Sequence, residues 1–341
     1  MTDKNPEVDE TLAPPAEEAV MPQKISPMAD VNELRAVKDT LTQQTNERIA
    51  KTKRYSRRQI VARRFWRNKT AVVGVVGLIL VLLLALIGPS LSDWTYMERD
   101  RGHYLQPPDA DHLFGTDRRG RDMFAMTMEG LRKSIIIGFS VALIQTGWAA
   151  LFGSAAAYFG GWVDKVATWI IDLMLVIPAF LMIAIISNRF GSENTGVFIF
   201  ILLLAAFGWM LTARVVRSLT MSVKSLDYVH AAKYMSVPSG TIIVRHILPN
   251  ISSLLIIDFT LGVATAVLSE TSLSYFGFGV KDPQVSLGSL IGAGQSSALT
   301  HSWLFLPPAA VLVLMLVSVN FIGDGLRDAL DPSSKSGGGK A

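Results

Sequence analysis

Six long apolar segments alternate with polar stretches along this chain of 341 residues. They cover approximately 71–91, 134–158, 166–187, 196–213, 251–269 and 303–322. Each has about the 20 residues that an α-helix needs to cross a hydrocarbon core of ~30 Å. Hydrophobic residues make up 50% of the sequence and charged residues 18%, which is too apolar for a soluble protein of this length. The pattern predicts an all-α integral membrane protein with six transmembrane helices.

Basic residues are distributed unevenly between the segments that connect these predicted helices. An even number of spans puts both termini on one side, and that side carries 23 of the 32 lysines and arginines, against 9 on the other. Because basic loops are retained in the cytoplasm, the N- and C-termini are predicted to be cytoplasmic. The first apolar segment lacks the cleavage site of a signal peptide, so we expect it to remain as an anchor.

The residues before the first span fall into two parts of opposite charge. Residues 1–50 hold ten acidic side chains and little apolar periodicity, which predicts a disordered cytoplasmic extension. Residues 51–69 hold nine basic side chains and no acidic one, interleaved with aromatic residues. This mixture predicts a helix on an anionic membrane surface, with Phe65 and Trp66 at the acyl boundary. Nucleic-acid binding is disfavoured because the patch directly adjoins a span. Residues 333–341 are predicted to be a disordered tail.

The polar interval 214–250, here called the coupling loop, is the element around which the rest of the chain is organised. Its sequence predicts a first helix with Ser225 as N-cap and a second helix that starts at Pro238 and stops before Pro249. The small pair Ala231 and Ala232 would let another body approach the backbone, as in a helix that sits in a partner's groove. Tyr228, Val229 and Tyr234 would supply contact area around it. An amphipathic linker on the membrane surface is the alternative, and composition alone favours it.

A resemblance reverses that preference. Seven positions of the loop have a characteristic spacing: His230, Ala231, Ala232, Ser236, His246, Leu248 and Pro249. This spacing resembles the EAA loop of ABC importer permeases, the element that docks into the ATPase subunit. His230 stands where that family has Glu, and Ser236 stands where Gly, which tolerates a positive φ, is usual. The resemblance implies that these residues and Tyr228 couple the chain to an ATPase.

The predicted outer loop between the first two spans contains the run HLFGTDRRGRD at 112–122. Asp117, Asp122 and a nearby His could suggest a metal site. The arginines among them and the lack of a ligand repeat favour a turn that neutralises its own charges. The run resembles the GTDxxGRD signature of C-type peptide permease subunits. The resemblance implies an extracytoplasmic signature at Gly115, Thr116, Asp117, Gly120, Arg121 and Asp122.

Three carboxylic acids, Asp172, Asp258 and Glu270, fall within or at the end of predicted spans. An ionised group there costs about 2.5 kcal/mol or more, so each should face the bundle interior, a partner subunit or water. An interhelical hydrogen bond or ion pair is one interpretation, and a wall of a translocation path is the other. Beyond them, the glycines between 277 and 294 predict close packing of a re-entrant or interfacial segment.

The sequence contains no phosphate-binding loop, no paired metal-binding histidines and no serine-nucleophile motif. Further stretches at 270–291 and 321–332 also resemble peptide permeases, and four motifs in the family's order identify the chain as a member of the dipeptide and oligopeptide branch of ABC importer permeases. The resemblance implies a type I permease fold over 70–332. It also implies a transport subunit rather than an enzyme, without a cofactor of its own, since ATP and magnesium would be bound by ATPase partners.

The resemblance further implies a set of partners in a bacterial cytoplasmic membrane. These are a second homologous permease subunit, one or two ATPase subunits, an extracytoplasmic substrate-binding protein, the peptide substrate and the lipid bilayer, with no nucleic acid. Nickel or another small solute is the alternative cargo within the same branch. An ion-coupled secondary transporter is the alternative outside it, and it would be expected to show inverted repeats with broken helices, which the sequence does not display.

Overall fold

The computed structural model describes residues 57–190 and 196–330. The predicted extension at 1–50 and the predicted tail at 333–341 lie outside the described residues. Within the described ranges the chain is helical and contains no β-sheet, apart from one isolated bridge between Thr116 and Asp122. The all-α prediction is therefore confirmed for this part of the chain.

The described ranges contain twelve α-helices, numbered here in chain order. They are α1 (Arg57–Arg67), α2 (Lys69–Ile87), α3 (Met123–Phe159), α4 (Gly161–Val176), α5 (Ala179–Phe190), α6 (Gly196–Gly208), α7 (Met210–Val223), α8 (Asp227–Tyr234), α9 (Ser239–Ile242), α10 (Leu248–Tyr275), α11 (Leu287–Gln295) and α12 (Leu306–Leu330).

Four continuous helical stretches are long and apolar enough to cross a membrane: Lys69–Ser90, Met123–Phe159, Ser239–Tyr275 and Ser302–Leu330. Two further pairs qualify only as bent units. The break between α4 and α5 bends the first pair by 74°, and the break between α6 and α7 bends the second by 46°. When each bent pair is taken as one span the count is six, as the hydrophobic pattern predicts.

The third span is not the continuous helix predicted over 166–187. Pro178 breaks it, because proline has no N–H to donate and its ring collides with the preceding turn. Ile177 accordingly adopts extended backbone angles (φ −72°, ψ 125°), the conformation favoured before proline. A similar correction applies to the fourth span, which was predicted to end near residue 213. The second helix of this span, α7, continues to Val223, so the first ten residues of the coupling loop belong to α7.

The prediction that the second helix of the coupling loop stops before Pro249 is wrong. A π-helical turn, Ile243–Ile247, joins α9 to α10, and Pro249 lies in the first turn of α10. Proline is tolerated in a first turn because its missing N–H would be unsatisfied there in any case. Because the wider π-turn lies just before Pro249, a new first turn begins there within one long helical stretch.

The longest helix, α3, lies at the centre of the bundle and packs against α6, α7 and α10. Helices α2 and α12 approach each other closely because glycine is present at the contact. A Cβ on Gly74 would lie 2.7 Å from the Cβ of Phe321, which real side chains do not permit. Small residues of this kind allow membrane helices to pack backbone against backbone.

The described part of the predicted basic segment is helical over Arg57–Arg67 and packs on α12. Asn68 separates it from the first span and caps α2, since its Oδ1 accepts from the Thr70 and Ala71 amides at 3.0 and 3.3 Å. Its Nδ2 donates to Asp328 on α12 at 3.1 Å. The Trp66 side chain is 60% exposed, and its placement at a membrane surface stays a prediction.

Candidate coupling site and outer loop

The short helix α8 ends in a turn at Ser236 and Val237. The amide of Ser236 donates to the Lys233 carbonyl at 3.0 Å, and the amide of Val237 donates to the Ala232 carbonyl at 3.1 Å. These two bonds form a Schellman motif, whose residue after the C-cap adopts the left-handed conformation. Ser236 does so with φ 58°. The position at which related permeases have Gly is thus the position that requires a positive φ.

The start of α8 differs from the prediction. Leu226, not Ser225, occupies the N-cap and makes no side-chain capping bond, while the Ser225 hydroxyl donates to the Ser222 carbonyl at 2.8 Å. Asp227 lies in the first turn, where its charge complements the helix dipole.

One face of α8 is buried within this chain. Val229 and Ala232 are 3% and 2% exposed and pack with Val216 of α7 and with Ile242 and Ile247 of the following helix. The pair Ala231 and Ala232 was predicted to face a partner together, but only Ala231 is exposed. Ala232 is small because the helix packs closely on its own chain, and any coupling role for it is limited to holding α8 in place.

The other face of α8 is exposed and carries large aromatic side chains beside the charged Asp227 and Lys233. Tyr234 is 87% exposed, Met235 72% and Tyr228 41%, and His230 and Ala231 are exposed beside them. Aromatic and Met side chains left in solvent around a small residue are characteristic of protein interaction sites. The structure therefore brings together three of the predicted coupling residues, Tyr228, His230 and Ala231, on one surface, and leaves His246, Leu248 and Pro249 on the next helix.

Hydrogen bonds and an ion pair connect α8 and the segment before it to the spans. The Asn250 side chain donates to the Tyr228 hydroxyl at 2.8 Å, which joins α8 to α10. Lys224 donates to the Ala157 carbonyl at the end of α3 at 2.5 Å. On α7, Arg217 makes a bidentate ion pair with Asp164 of α4 at 2.5 and 2.6 Å. These partners cannot be predicted from the sequence, because no spacing links residues so far apart in the chain.

The outer loop, residues 91–122, lies at the opposite end of α3, and the charges of its signature run are paired within this chain. Asp117 accepts from the Arg119 and Arg121 amides at 2.7 and 2.9 Å and from Arg121 Nε at 2.8 Å. The same arginines reach Asp282 in the segment after α10, at 2.7 and 2.8 Å. These bonds lower the pKa of Asp282 against the opposing effect of its burial. The aspartates therefore form a turn and interloop ion pairs, as the residue pattern suggested.

The remaining signature residues have structural roles as well. Gly115 and Gly120 adopt φ of 70° and 74°, a region that side chains rarely enter. Thr116 is fully buried and its hydroxyl accepts from the Gln106 amide at 2.9 Å. Asp122 is the N-cap of α3, with Oδ1 2.6 Å from the Ala125 amide.

His112 occupies the centre of the outer loop and is 2% exposed. Its Nδ1 lies 2.9 Å from Asp122 and its Nε2 lies 3.4 Å from Asp100, while its ring stacks against Trp94. Burial disfavours the imidazolium, but the hydrogen bonds to Asp122 and Asp100 outweigh burial, so the pKa of His112 lies above its usual value. His112 thus joins the cap of α3 to the rest of the loop.

The glycine-rich segment after α10 packs closely, as predicted. Ser286 and Ser289 form a capping box at the start of α11. A Cβ on Gly288 would lie 2.6 Å from the Thr271 Cα, and one on Gly292 would lie 2.8 Å from the Tyr275 carbonyl oxygen. Glycine therefore lets α11 lie directly on the backbone of α10.

Each of the three acids within the spans has partners in its own chain. Asp172 pairs with Arg214, and both side chains are about half exposed. Asp258 accepts from Thr212 at 2.8 Å and Thr146 at 3.2 Å. Glu270 is completely buried and accepts from Ser274 at 2.7 Å and Ser134 at 3.1 Å. This geometry favours the interhelical interpretation for Glu270, whereas Asp172 and Asp258 remain accessible enough for a role on a path.

Comparison with known proteins places these features in one family. Residues 149–336 match the model for the binding-protein-dependent transport system inner membrane component. Residues 56–108 match the model for the N-terminal TM domain of oligopeptide transport permease C. The first match includes the last 11 residues of α3 and all of α4 to α12, among them α8. The second includes α1, α2 and the outer-loop residues up to 108.

Similar full-length proteins carry the name oligopeptide transport system permease protein OppC. The protein from Mycobacterium tuberculosis H37Rv is 48% identical over 281 residues, covering 82% of this chain and 96% of the relative. Those from Escherichia coli K12 and Bacillus subtilis 168 are 35% and 34% identical over 279 and 269 residues, covering 81% and 79% of this chain and 91% and 87% of the relatives.

Proposed function

Since this chain belongs to the family of binding-protein-dependent transport system inner membrane components and is a permease subunit of an ABC importer, we propose that its cargo is oligopeptides and that the exposed face of α8 is where an ATPase subunit docks. The relatives named OppC support the cargo, because they match this chain over nearly their whole length. Assembly with a second permease subunit and delivery by an extracytoplasmic binding protein belong to the same proposal.

The observation that carries the docking proposal is the contrast between the two faces of α8. Tyr234 and Met235 are 87% and 72% exposed outside the spans, while Val229 and Ala232 are buried in the chain's own core. Burying aromatic side chains of this size in a partner's groove supplies the central contacts typical of interfaces. A linker that only lies on the membrane surface would not need the packing of Val229 and Ala232 that holds the opposite face of α8 in place.

The anchoring also explains how motion would pass from the ATPase to the spans. ATP and magnesium would be bound by the ATPase subunits, and their closure would displace α8. Because α8 packs on α7 and on the helix Ser239–Tyr275, its displacement would tilt those helices. Such rigid-body movement can alternate access between the two sides of a membrane. In this arrangement the termini and the coupling loop are cytoplasmic, as the distribution of basic residues predicts.

The test is association with the ATPase in mild detergent. Tyr234→Asp places a charge in the proposed contact and should lower ATPase co-purification at least tenfold. A tenfold loss of affinity corresponds to about 1.4 kcal/mol of binding free energy. Tyr234→Phe keeps the ring area and should bind like the parent. Equal binding by the two variants would contradict docking at this face. For the cargo, uptake of radiolabelled tri- and pentaalanine by proteoliposomes of the complete importer should exceed uptake of Ni²⁺, and the reverse would favour the nickel alternative.

A further inference from the structure

A cleft of about 330 Å³ lies where the two bent spans meet. Its walls come from the first turns of α5 after the break at Pro178, from the end of α6 before the second break, from the middle of α3 and from the C-terminal part of α10. Its volume falls in the range of roughly 300–1,000 Å³ that is usual for ligand sites. No charged side chain is among its lining residues.

One side of the cleft is rich in hydrogen-bond acceptors. Thr265, Ser269 and Ser272 follow each other on one face of α10. Each hydroxyl donates to the carbonyl four residues earlier, at 3.1, 2.9 and 2.8 Å respectively. Since those hydrogens are used within the helix, the three oxygen atoms keep their lone pairs for a ligand that donates.

Gln145 of α3 adds a further acceptor at the second helix break. Its Nε2 donates to the Leu204 carbonyl in the last turn of α6 at 2.9 Å, so its orientation is fixed and its carbonyl oxygen is directed elsewhere. Its side chain lies so close to Gly208 that a Cβ there would collide with it. Gln145 therefore links the cleft directly to the bend between α6 and α7.

The other side of the cleft is apolar. Phe180 and Phe207 line it, together with Ile183 and Leu273. Phe180 is held by edge contacts with Phe276 and Phe278, at ring distances of 5.8 and 6.3 Å. The cleft thus offers acceptors on one wall and a supported aromatic surface on the other.

We propose that this cleft contacts the peptide during translocation, with Gln145, Thr265, Ser269 and Ser272 accepting hydrogen bonds from peptide N–H groups. Phe180 and Phe207 contact its side chains, a mode of binding that depends little on peptide sequence. This inference rests on the proposed peptide-importer function. A lining without imidazole or carboxylate lacks the side chains that would strip water from a nickel ion. Because both helix breaks form its walls, a change in either bend changes its width, as at the broken helices of other transporters.

The first test fills the cleft. Ser269→Trp should lower trialanine and pentaalanine uptake at least tenfold in proteoliposomes of the complete importer, while ATPase co-purification stays at the parent's level. Leu268→Trp adds the same bulk at the neighbouring position, whose side chain is 53% exposed and does not line the cleft, and it should change uptake less than twofold. Equal effects of the two variants would overturn the inference. Absence of peptide uptake by the parent importer would overturn the proposed cargo and the inference together.

The second test covers the case in which Ser269→Trp fails to assemble. The chain contains no cysteine, so Ser269→Cys provides a single thiol. In the assembled importer with ATP and binding protein, a charged methanethiosulfonate reagent should modify this thiol, and trialanine should slow the reaction at least threefold. Leu268→Cys is the control and should show no protection. A parent that takes up peptide, combined with an unprotected or unreactive Ser269→Cys, would overturn the inference and leave the proposed cargo standing.

Discussion

The coupling loop and the outer loop are polar segments at opposite ends of α3. The key side chains of the outer loop have partners within the chain, whereas large side chains of the coupling loop are exposed. In the outer loop, Asp117, Asp122 and His112 all find partners within the chain. In the coupling loop, Tyr234 and Met235 are 87% and 72% exposed. A loop whose charges are satisfied internally is stabilised by itself, whereas one that leaves aromatic surface in water is incomplete without a partner.

The largest effect is expected inside the outer loop, at Asp122. Asp122→Ala removes the N-cap of α3 and leaves the buried imidazole of His112 without its closest carboxylate. Together these losses should cost about 2–4 kcal/mol. The thermal unfolding midpoint of the purified permease pair should fall clearly. Asp111→Ala, at an exposed neighbouring aspartate, is the control and should leave it within error. An unchanged midpoint for Asp122→Ala would mean that this loop is not internally stabilised.

The two neighbouring alanines of α8 should respond differently to the same substitution. Ala232→Glu would bury an unpaired carboxylate in the chain's own core and cost several kcal/mol. It should therefore expose the coupling loop to limited proteolysis even in a permease pair without ATPase. Ala231→Glu lies on the exposed face and should leave proteolysis unchanged while reducing ATPase co-purification. If both variants behave alike in the absence of the ATPase, the assignment of the two faces is wrong.

A smaller, pH-dependent effect is expected in the outer loop. The pKa of His112 is raised in the folded protein, so the folded state binds its proton more tightly than the unfolded state does. The stabilisation is fully present below the unfolded pKa and is lost as pH rises through the folded pKa, by at most about 1.4 kcal/mol for each unit between them. Protection of the outer loop from hydrogen exchange should fall between pH 6 and 9.

His112→Gln removes the titrating group while keeping a polar side chain at this position. After correction for the intrinsic rate of exchange, its protection should not vary over that range. A parent protein whose outer-loop protection is constant across the same pH values would contradict the role given to His112.

The smallest effect is expected at Ser236. Ser236→Gly removes the strain of a left-handed φ of 58° at the C-terminal turn of α8, and should stabilise the coupling loop by about 0.5–1 kcal/mol. ATPase affinity should stay within twofold of the parent's, because the turn geometry is kept. Ser236→Ala keeps a Cβ and is the control, expected to show no stabilisation. Destabilisation by glycine would contradict the Schellman geometry of this turn.

The positions of the apolar spans could be predicted from hydropathy, because about 20 apolar residues suffice to specify each. What hydropathy could not give is the length of α3, which begins at Met123 and not near 134. Its first turns carry Thr127, Glu129 and Lys133, which lower the local hydropathy. In the fold Thr127 is buried and Lys133 pairs with Glu129.

Proline and glycine positions were informative only in part. Pro178 breaks its span, but Pro249 does not end its helix. The π-turn before Pro249 lets the helix continue, and the sequence contains no signal that predicts such a turn. The resemblance placed Ser236 where the family usually has Gly, but a serine there did not predict the left-handed φ of 58° that the structure shows. The burial of Ala232, in contrast, depends on α7 and on the helix after it, so no local pattern could distinguish it from Ala231.

The central claim is that the exposed face of α8 docks the ATPase and that the outer loop does not. A photo-crosslinking amino acid placed at Tyr234, or at Asp109 in the outer loop, should separate the two in intact cells that express the complete importer. We expect an ATPase adduct from position 234 and none from position 109. Adducts from position 234 that contain only lipid or this chain, or an ATPase adduct from position 109, would contradict it.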